Sequence, residues 1–273
     1  MKFHFSHKET TYAVDLESGC SIAIDLDFDG PQPNHFGVAK ANKKPLTIDG
    51  FVGATAKGGG CNVDVVELIP HCSGTHTESV GHIVDQRIDV AGLAKQSFFL
   101  AQLITLEPKV ANDLADRYTP ELNNADFVVS AEELRTKLES IDLHGIEALV
   151  VRTTPNDESK RSRDYSKGDS PAFFSSDAMQ AIAETSIKHL IVDLPSVDRI
   201  HDDGLLSNHH LFWLVEPGKH QTDERTLVDR TITELVYVPD TMEDGRYLLN
   251  LQVAPFCTDA APSRPILFPL SEA

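Results

Sequence analysis

Apolar and polar positions alternate along the first third of the chain, over residues 11–16, 21–28 and 63–69. A period of two predicts β-strands with one face buried. Two loops separate them, Gly30-Pro31-Gln32-Pro33-Asn34 and Lys57-Gly58-Gly59-Gly60. The second lacks the Lys and Ser/Thr of a P-loop and does not spell GxGxxG, so it reads as a plain loop. Further along, Ser130 with Glu133 forms a capping box ahead of Leu134, Leu138 and Ile141, which share one helical face. An apolar strand is expected at 148–152, an exposed polar loop at 154–170, a helix at 176–188 and a strand at 189–193, closed by a turn at 195–198. That is a β-α-β succession. Strands return at 231–238 and 247–254 around a turn at 240–245. With no internal repeat and no dividing linker, the pattern predicts one mixed α/β domain over residues 1–273.

Composition narrows the function more than the fold. At 273 residues, with 41% hydrophobic and 24% charged positions, the chain is an ordinary globular one. Its formal charge of −18 excludes nucleic acid as a partner, because phosphate binding needs a cationic footprint. The first residues lack the apolar stretch of a signal peptide, and no run approaches the ~18 apolar residues of a membrane span. The expectation is a cytoplasmic protein with no membrane partner. Cys20, Cys61, Cys72 and Cys257 form no CxxC pair and read as buried free thiols.

The chemistry is concentrated in His71-Cys72-Ser73-Gly74-Thr75-His76-Thr77-Glu78-Ser79-Val80-Gly81-His82. Three imidazoles and a carboxylate in twelve residues are the ligand types that bind zinc, manganese or iron. His76 and Glu78, two apart, point to the same side of an extended backbone. His71 lies five before His76, so the Ser73-Gly74 step must turn the chain to bring them together, and Gly74 is suited to that. Cys72 competes with His71 as the first ligand; an open site built from His and carboxylate favours His71. His82 is best placed as a non-ligand that takes or delivers a proton, with a further metal ligand as the alternative. Asn208-His209-His210 and Thr233-Glu234-Leu235 hold further candidate ligands, each equally readable as core or strand surface.

Those residues carry a resemblance. The chain resembles the cyclase family of metal-dependent hydrolases, which includes kynurenine formamidases and isatin hydrolases, through the signature His-x-Gly-Thr-His-x-Asp-x-Pro-x-His. Gly74-Thr75-His76-x-Glu78-x-x-x-His82 keeps its spacing from the Gly-Thr-His core onward. Further matches run through Val192-Asp193-Leu194-Pro195-Ser196-Val197-Asp198, His209-His210, Thr233-Glu234-Leu235 and Asp259-Ala260-Ala261-Pro262-Ser263-Arg264. The resemblance implies a swivelling β/β/α domain, with a mixed sheet and flanking helices, assembled as a homodimer or homotetramer. It implies one metal on His71, His76 and Glu78, and a second completed by Glu78, His209 or His210, and Glu234. His82 is then the catalytic residue. Three departures stand out: one extra residue after the first His, Glu78 in place of Asp, and Val80 in place of Pro. The longer Glu78 leaves a single-metal site open.

The expected activity is hydrolysis of an arylformamide, cyclic amide or lactone, a small-molecule substrate. The cofactor is one or two divalent ions, zinc or else manganese, which lower the pKa of water and polarise the carbonyl. The rival readings are a non-catalytic metal or small-ligand binder, and a metal-dependent lyase or cyclase. Phe36, Phe212 and Trp213 are read as core, with an aromatic pocket as the alternative. The segment 216–225 is read as a lid or an oligomer contact.

Overall fold

The computed structural model describes residues 1–93 and 95–272. The central strand, Ala148–Thr153, is buried along its whole length and lies parallel to both Phe98–Leu106 and His189–Val192. Beyond His189–Val192 come Thr231–Glu234, also parallel, and then the antiparallel His76–Ser79. On the other side, Gly245–Val253 returns antiparallel to Phe98–Leu106 and pairs with the long strand Ala260–Glu272. The first residues of that strand, Ala260–Pro262, also pair with His76–Ser79, so the sheet closes into a mixed barrel. The hairpin Lys2–His7/Thr10–Asp15 extends it from the far end of Ala260–Glu272.

Alternation along the strands sorts the core into two halves, as the pleat requires. Leu149, Val151, Leu190, Val192 and Ile104 pack outward against Leu134, Met179, Ile182, Phe212 and Trp213. These belong to helices Ala131–Glu139, Ser176–Ala183 and Ser207–Trp213. Ala148, Val150, Ile191, Ala101 and Leu103 point the other way and meet Ile22, Val236, Leu249 and Leu267. Each fully buried Val, Leu, Ile, Phe or Met among them contributes roughly 1.5–3 kcal/mol. The mixed α/β architecture with flanking helices is therefore present, its sheet closed rather than open.

Several expected elements differ in extent. The strand expected at 21–28 is reduced to Cys20–Ser21 and an isolated bridge at Ala23, because the chain turns at Asp27–Gly30. The helix expected at 176–188 stops at Ala183, and the strand at 231–238 stops at Glu234, where Leu235 takes a φ of 54°. Asp64–Glu67 is a strand, but all four of its residues are exposed. Ser130 caps its helix by accepting from Glu133 N, yet the Glu133 carboxylate turns away to accept from Glu107 N, so half the capping box forms. The loop at 154–170 is anchored by two buried residues, Lys160 and Tyr165. All four cysteines are free, but Cys61 and Cys257 are exposed rather than buried. Phe212 and Trp213 are core, whereas Phe36 is exposed. No helix among the described residues is long and apolar enough to cross a membrane.

Candidate metal centre

The ligand-rich segment is built from three short elements. Pro70 opens a single helical turn, Pro70–Ser73, that carries His71. Strand His76–Ser79 follows and is wholly buried, and a 3-10 turn at Val80–His82 delivers His82. The helical turn, not a bend at Gly74, brings His71 back over His76: Gly74 is extended, with φ 168°, a conformation open to any residue. Thr75 locks the segment to the barrel by accepting from Ile24 N at 2.8 Å and donating to the Leu235 carbonyl.

His76 and Glu78 project to the same side of this strand, as their spacing requires. The His76 Nδ1 lies 3.0 Å from the Gly74 carbonyl, which can only accept, so Nδ1 carries the proton and Nε2 presents its lone pair. That Nε2 is buried and has no hydrogen-bond partner; it lies 3.5 Å from Glu234 Oε2. Glu78 is fully buried. Its Oε1 meets His209 Nε2 at 2.9 Å. Its Oε2 faces His71 Nδ1 at 3.0 Å, without the alignment of a hydrogen bond, and is left without a donor.

The opposite wall comes from helix Ser207–Trp213. Asp198 accepts from Asn208 N at 2.8 Å and from His209 N at 3.2 Å, and it also holds His209 Nδ1, so His209 Nε2 is aimed at Glu78. One residue on, His210 points its Nδ1 to the Val215 carbonyl at 3.3 Å and stands outside the cluster. Glu234, at the end of its strand, accepts from Val197 N at 2.8 Å and lies 3.9 Å from His209 Nε2. The rim is closed by Asp259, whose Oδ2 lies 2.8 Å from His71 Nε2 and 3.3 Å from His82 Nδ1. The His71 and His82 rings stack at 4.2 Å.

Three overlapping groups therefore present ligand atoms within 4.8 Å of one another: His71, His76 and Glu78; Glu78, His82 and His209; and His71, His82 and Asp259. Cys72 is buried but belongs to none of them. A buried imidazole lone pair and a buried carboxylate oxygen, both lacking a donor, are the chemistry a cation satisfies. His and carboxylate together suit a divalent ion.

The electrostatics agree. Burial disfavours charge on His71, but Asp259 and Glu78 outweigh it and push the imidazole up to about 10. Burial likewise opposes ionisation of Glu78, yet the His82 and His209 imidazoles hold its carboxyl well below the usual range. His209 is raised by Glu78 and Asp198 against the opposing effect of burial. Hydrogen bonds from His71 and His82 depress Asp259. The site thus concentrates negative charge that protons on the imidazoles neutralise. Beside it, His35 donates its backbone N–H to the Cys72 carbonyl at 3.1 Å, and both its ring nitrogens are buried without partners. Burial, with His76, His201 and His71 nearby, lowers it to about 3.

The chain matches the family model described as putative cyclase over residues 6–199 and belongs to that family. The kynurenine formamidase of Bacillus mycoides (strain KBAB4) is 29% identical over 140 residues, which cover 50% of this chain and 56% of that protein. The chain thus spans little more than half the length of the curated relatives it matches. An isatin hydrolase bound to the product analogue thioisatinate superposes with a TM-score of 0.61 at 12% identity, covering 93% of this chain and 92% of that one. A protein described as a predicted metal-dependent hydrolase from Bacillus stearothermophilus does so at 0.54 and 16% identity, covering 92% and 97%. These two likenesses establish the fold. The family match contains His71–His82 but ends before His209, Glu234 and Asp259, which reach the cluster through the barrel's closure.

Two contributors, Asp198 and Asp259, were not singled out as site residues in the sequence. Both lie in segments that carry the resemblance, Val192–Asp198 and Asp259–Arg264, and that is the signal that points to them.

Proposed function

We propose that this chain is a metal-dependent hydrolase acting on a non-peptide C–N bond, an arylformamide or a cyclic amide, or on a lactone. The observation that carries the reading is the pair of buried, donorless atoms, His76 Nε2 and Glu78 Oε2, facing one cluster. His71, His76, Glu78, His209 and Glu234 would hold the cation, with Glu78 placed to face two positions. When bound, a divalent cation supplies a Lewis acid that polarises the carbonyl and makes water acidic enough to ionise near neutral pH.

The remaining steps belong to the chain's own groups. His82 is tied at Nδ1 to Asp259, which fixes Nε2 as the free nitrogen on the cluster side. Nε2 takes a proton from the attacking water and returns it to the leaving nitrogen or oxygen as the carbonyl collapses. Asp259 positions His82 for both transfers. Asp198 positions His209 in the same way that carboxylates fix ligating imidazoles elsewhere. Kynurenine formamidase activity in the B. mycoides relative, and isatin hydrolase in the structural neighbour, support an acyl carbon attached to nitrogen as the reacting centre.

Elemental analysis of the purified protein, coupled to turnover of N-formylkynurenine, isatin and simple lactones with and without chelator, tests this. Stoichiometric zinc or manganese with chelator-sensitive turnover is the expected result. Failure to hold any divalent ion after reconstitution overturns it.

A further inference from the structure

The segment 216–225 lies beyond the family match, which ends at residue 199, and among the described residues it supplies none of the ligand groups at the metal centre. It is the middle of a loop whose two roots meet on one residue. Helix Ser207–Trp213 ends with Leu214 in the left-handed region, at φ 55°, and the chain leaves there. It returns at Leu227, whose N–H donates to the Trp213 carbonyl at 2.9 Å. The Trp213 indole, fully buried, donates to the Arg230 carbonyl at 3.0 Å, so both roots are fixed to the core. Between them lie a turn at Glu216–Lys219, with Gly218 at φ 73°, and a second at Asp223–Thr226, where Thr226 Oγ1 accepts from Asp223 N at 2.9 Å. A loop with joined ends and turns of its own keeps a defined shape.

The tip of this loop is seated on the backbone that follows His82. His220 Nδ1 lies 3.0 Å from the Ile83 carbonyl, which can only accept, so Nδ1 donates. The His220 carbonyl accepts from Asp85 N at 2.7 Å. Gln221 Nε2 donates to Asp85 Oδ2 at 3.1 Å, and Gln86 Nε2 donates to Thr222 Oγ1 at 3.2 Å. Among the described residues, every hydrogen bond that reaches Asp85 or Gln86 involves His220, Gln221 or Thr222. His220 and Gln221 are exposed, so burial does not account for their place. What their contacts fix is the main chain directly beyond His82.

His82 needs such a support. It ends the 3-10 turn Val80–His82, which is closed by Ile83 N donating to the Val80 carbonyl at 3.0 Å and capped by Ser79 Oγ accepting from Gly81 N at 3.2 Å. One turn of this kind is a weak unit by itself, and residues 83–89 form neither helix nor strand. The tie of the ring to Asp259, at 3.3 Å, is longer than an ordinary hydrogen bond. We propose that the loop 214–226 is a strap that holds His82 in place, with His220 as its positioning residue, clamping Ile83 through Nδ1 and Asp85 through its carbonyl. The strap is rooted at the end of the helix that carries His209, so the clamp ties the proton carrier to the helix that aims His209 at Glu78. The inference rests on the reading of His82 as the proton carrier; a displacement of about 1 Å in such a group costs on the order of 100-fold in rate.

Hydrogen exchange and kinetics on the zinc-loaded protein test this together. The Asp85 amide should exchange about 10-fold faster in His220→Ala than in the unaltered protein, and faster still where Glu216–Arg225 is replaced by Gly-Ser-Gly, while amides of His76–Ser79 and Ser207–Trp213 keep their rates. If the shortened chain does not fold, the point variant decides. His220→Ala should keep its zinc and its KM and lose kcat about 10- to 100-fold on whichever of N-formylkynurenine, isatin or a lactone the unaltered protein turns over. His220→Asn, whose amide nitrogen takes the place of Nδ1, should recover most of that loss. Unchanged Asp85 exchange, full kcat in His220→Ala, zinc loss in step with the loss of turnover, or no recovery in His220→Asn overturns the proposal. If the unaltered protein turns over none of these compounds, the hydrolase reading fails by that result, and Asp85 exchange still decides whether the strap holds the backbone beside His82.

Discussion

Asp198 grips His209 from behind: its carboxylate receives Nδ1 at 2.5 Å while the same oxygen accepts the His209 backbone N–H at 3.2 Å. The imidazole is thereby left with one direction for Nε2, toward Glu78. Asp198→Asn keeps the shape and removes the charge that makes Nδ1 a donor. Divalent metal affinity is expected to fall about 10- to 100-fold, the usual effect of losing such a partner. Competition with a fluorescent chelator measures it, and an unchanged affinity would remove His209 from the ligand set.

Ligands and proton carrier separate by variant. His76→Ala and Glu78→Ala should lose metal, because they delete the donorless atoms at the cluster's centre. His82→Ala should retain metal and lose turnover, since its Nε2 lies 4.0 Å from Glu78 at the edge. Asp259→Asn should retain metal and lower turnover on the order of 100-fold, the scale of a mispositioned general base. Metal content by mass spectrometry beside kcat distinguishes the two classes, and metal loss in His82→Ala would reassign that residue as a ligand.

Metal loading should release protons. In the metal-free chain Asp259 and Glu78 hold His71 protonated up to about 10, whereas a ligating imidazole must be neutral. Titration of the apoprotein at pH 7.5 or so in buffers of different ionisation enthalpy should therefore show proton release on binding. The sign for stability without metal follows: His71 is raised above its ordinary 6.5, so its contribution is complete below 6.5 and is lost as pH climbs toward about 10. Buffer-independent binding heats would show that no proton leaves.

What the sequence makes legible depends on whether the signal is local. Three imidazoles and a carboxylate within His71–His82 need no tertiary information to be noticed. Ser130 and Glu133 announce a helix because a cap is a local device. Phe98–Leu106, by contrast, reads Phe-Phe-Leu-Ala-Gln-Leu-Ile-Thr-Leu, a strand buried on both sides with no alternation to mark it. Ala260–Glu272 is obscured by Pro262, Pro265 and Pro269. They sit at or beside the points where one edge of the strand passes from His76–Ser79 to Cys20–Ser21 and then to Thr10–Asp15. Asp198 and Asp259 are two among 42 acidic residues, and apart from the resemblance of the segments that hold them, only the closed barrel distinguishes them from surface charge. Which of His209 and His210 faces Glu78 is likewise a matter of space, set by the phase of a seven-residue helix.

Lys160 tests how the loop at 154–170 is fixed. Its ammonium donates to the Thr153 carbonyl at 2.7 Å, to Thr153 Oγ1 at 3.0 Å and to Asp193 Oδ2 at 2.8 Å, all buried. Lys160→Met leaves the Asp193 carboxylate with only Thr153 as a donor. Removing one partner of such a pair costs about 3–5 kcal/mol. Urea unfolding should show that loss, and a loss of under ~1 kcal/mol would mean that Asp193 is rescued by water.

His189 governs part of the acid limit of the barrel. Its ring lies 4.0 Å from Phe99, and its Nδ1 lies 2.8 Å from Thr231 Oγ1. Burial, with a smaller effect of Lys188, lowers it from 6.5 to about 4. A histidine depressed in this way is neutral in the fold and protonated in the unfolded chain between those two values. The unfolded chain therefore binds the extra proton, and stability rises with pH across that window and falls as pH drops from 6.5 toward 4. A displacement of that size is worth roughly 3 kcal/mol at most. His189→Gln keeps a polar group beside Thr231 and cannot charge, so its unfolding free energy should decline less steeply than the wild type's between neutral pH and about pH 4.5. Parallel slopes for the two proteins would place the acid sensitivity elsewhere, with His35 the next buried imidazole to examine.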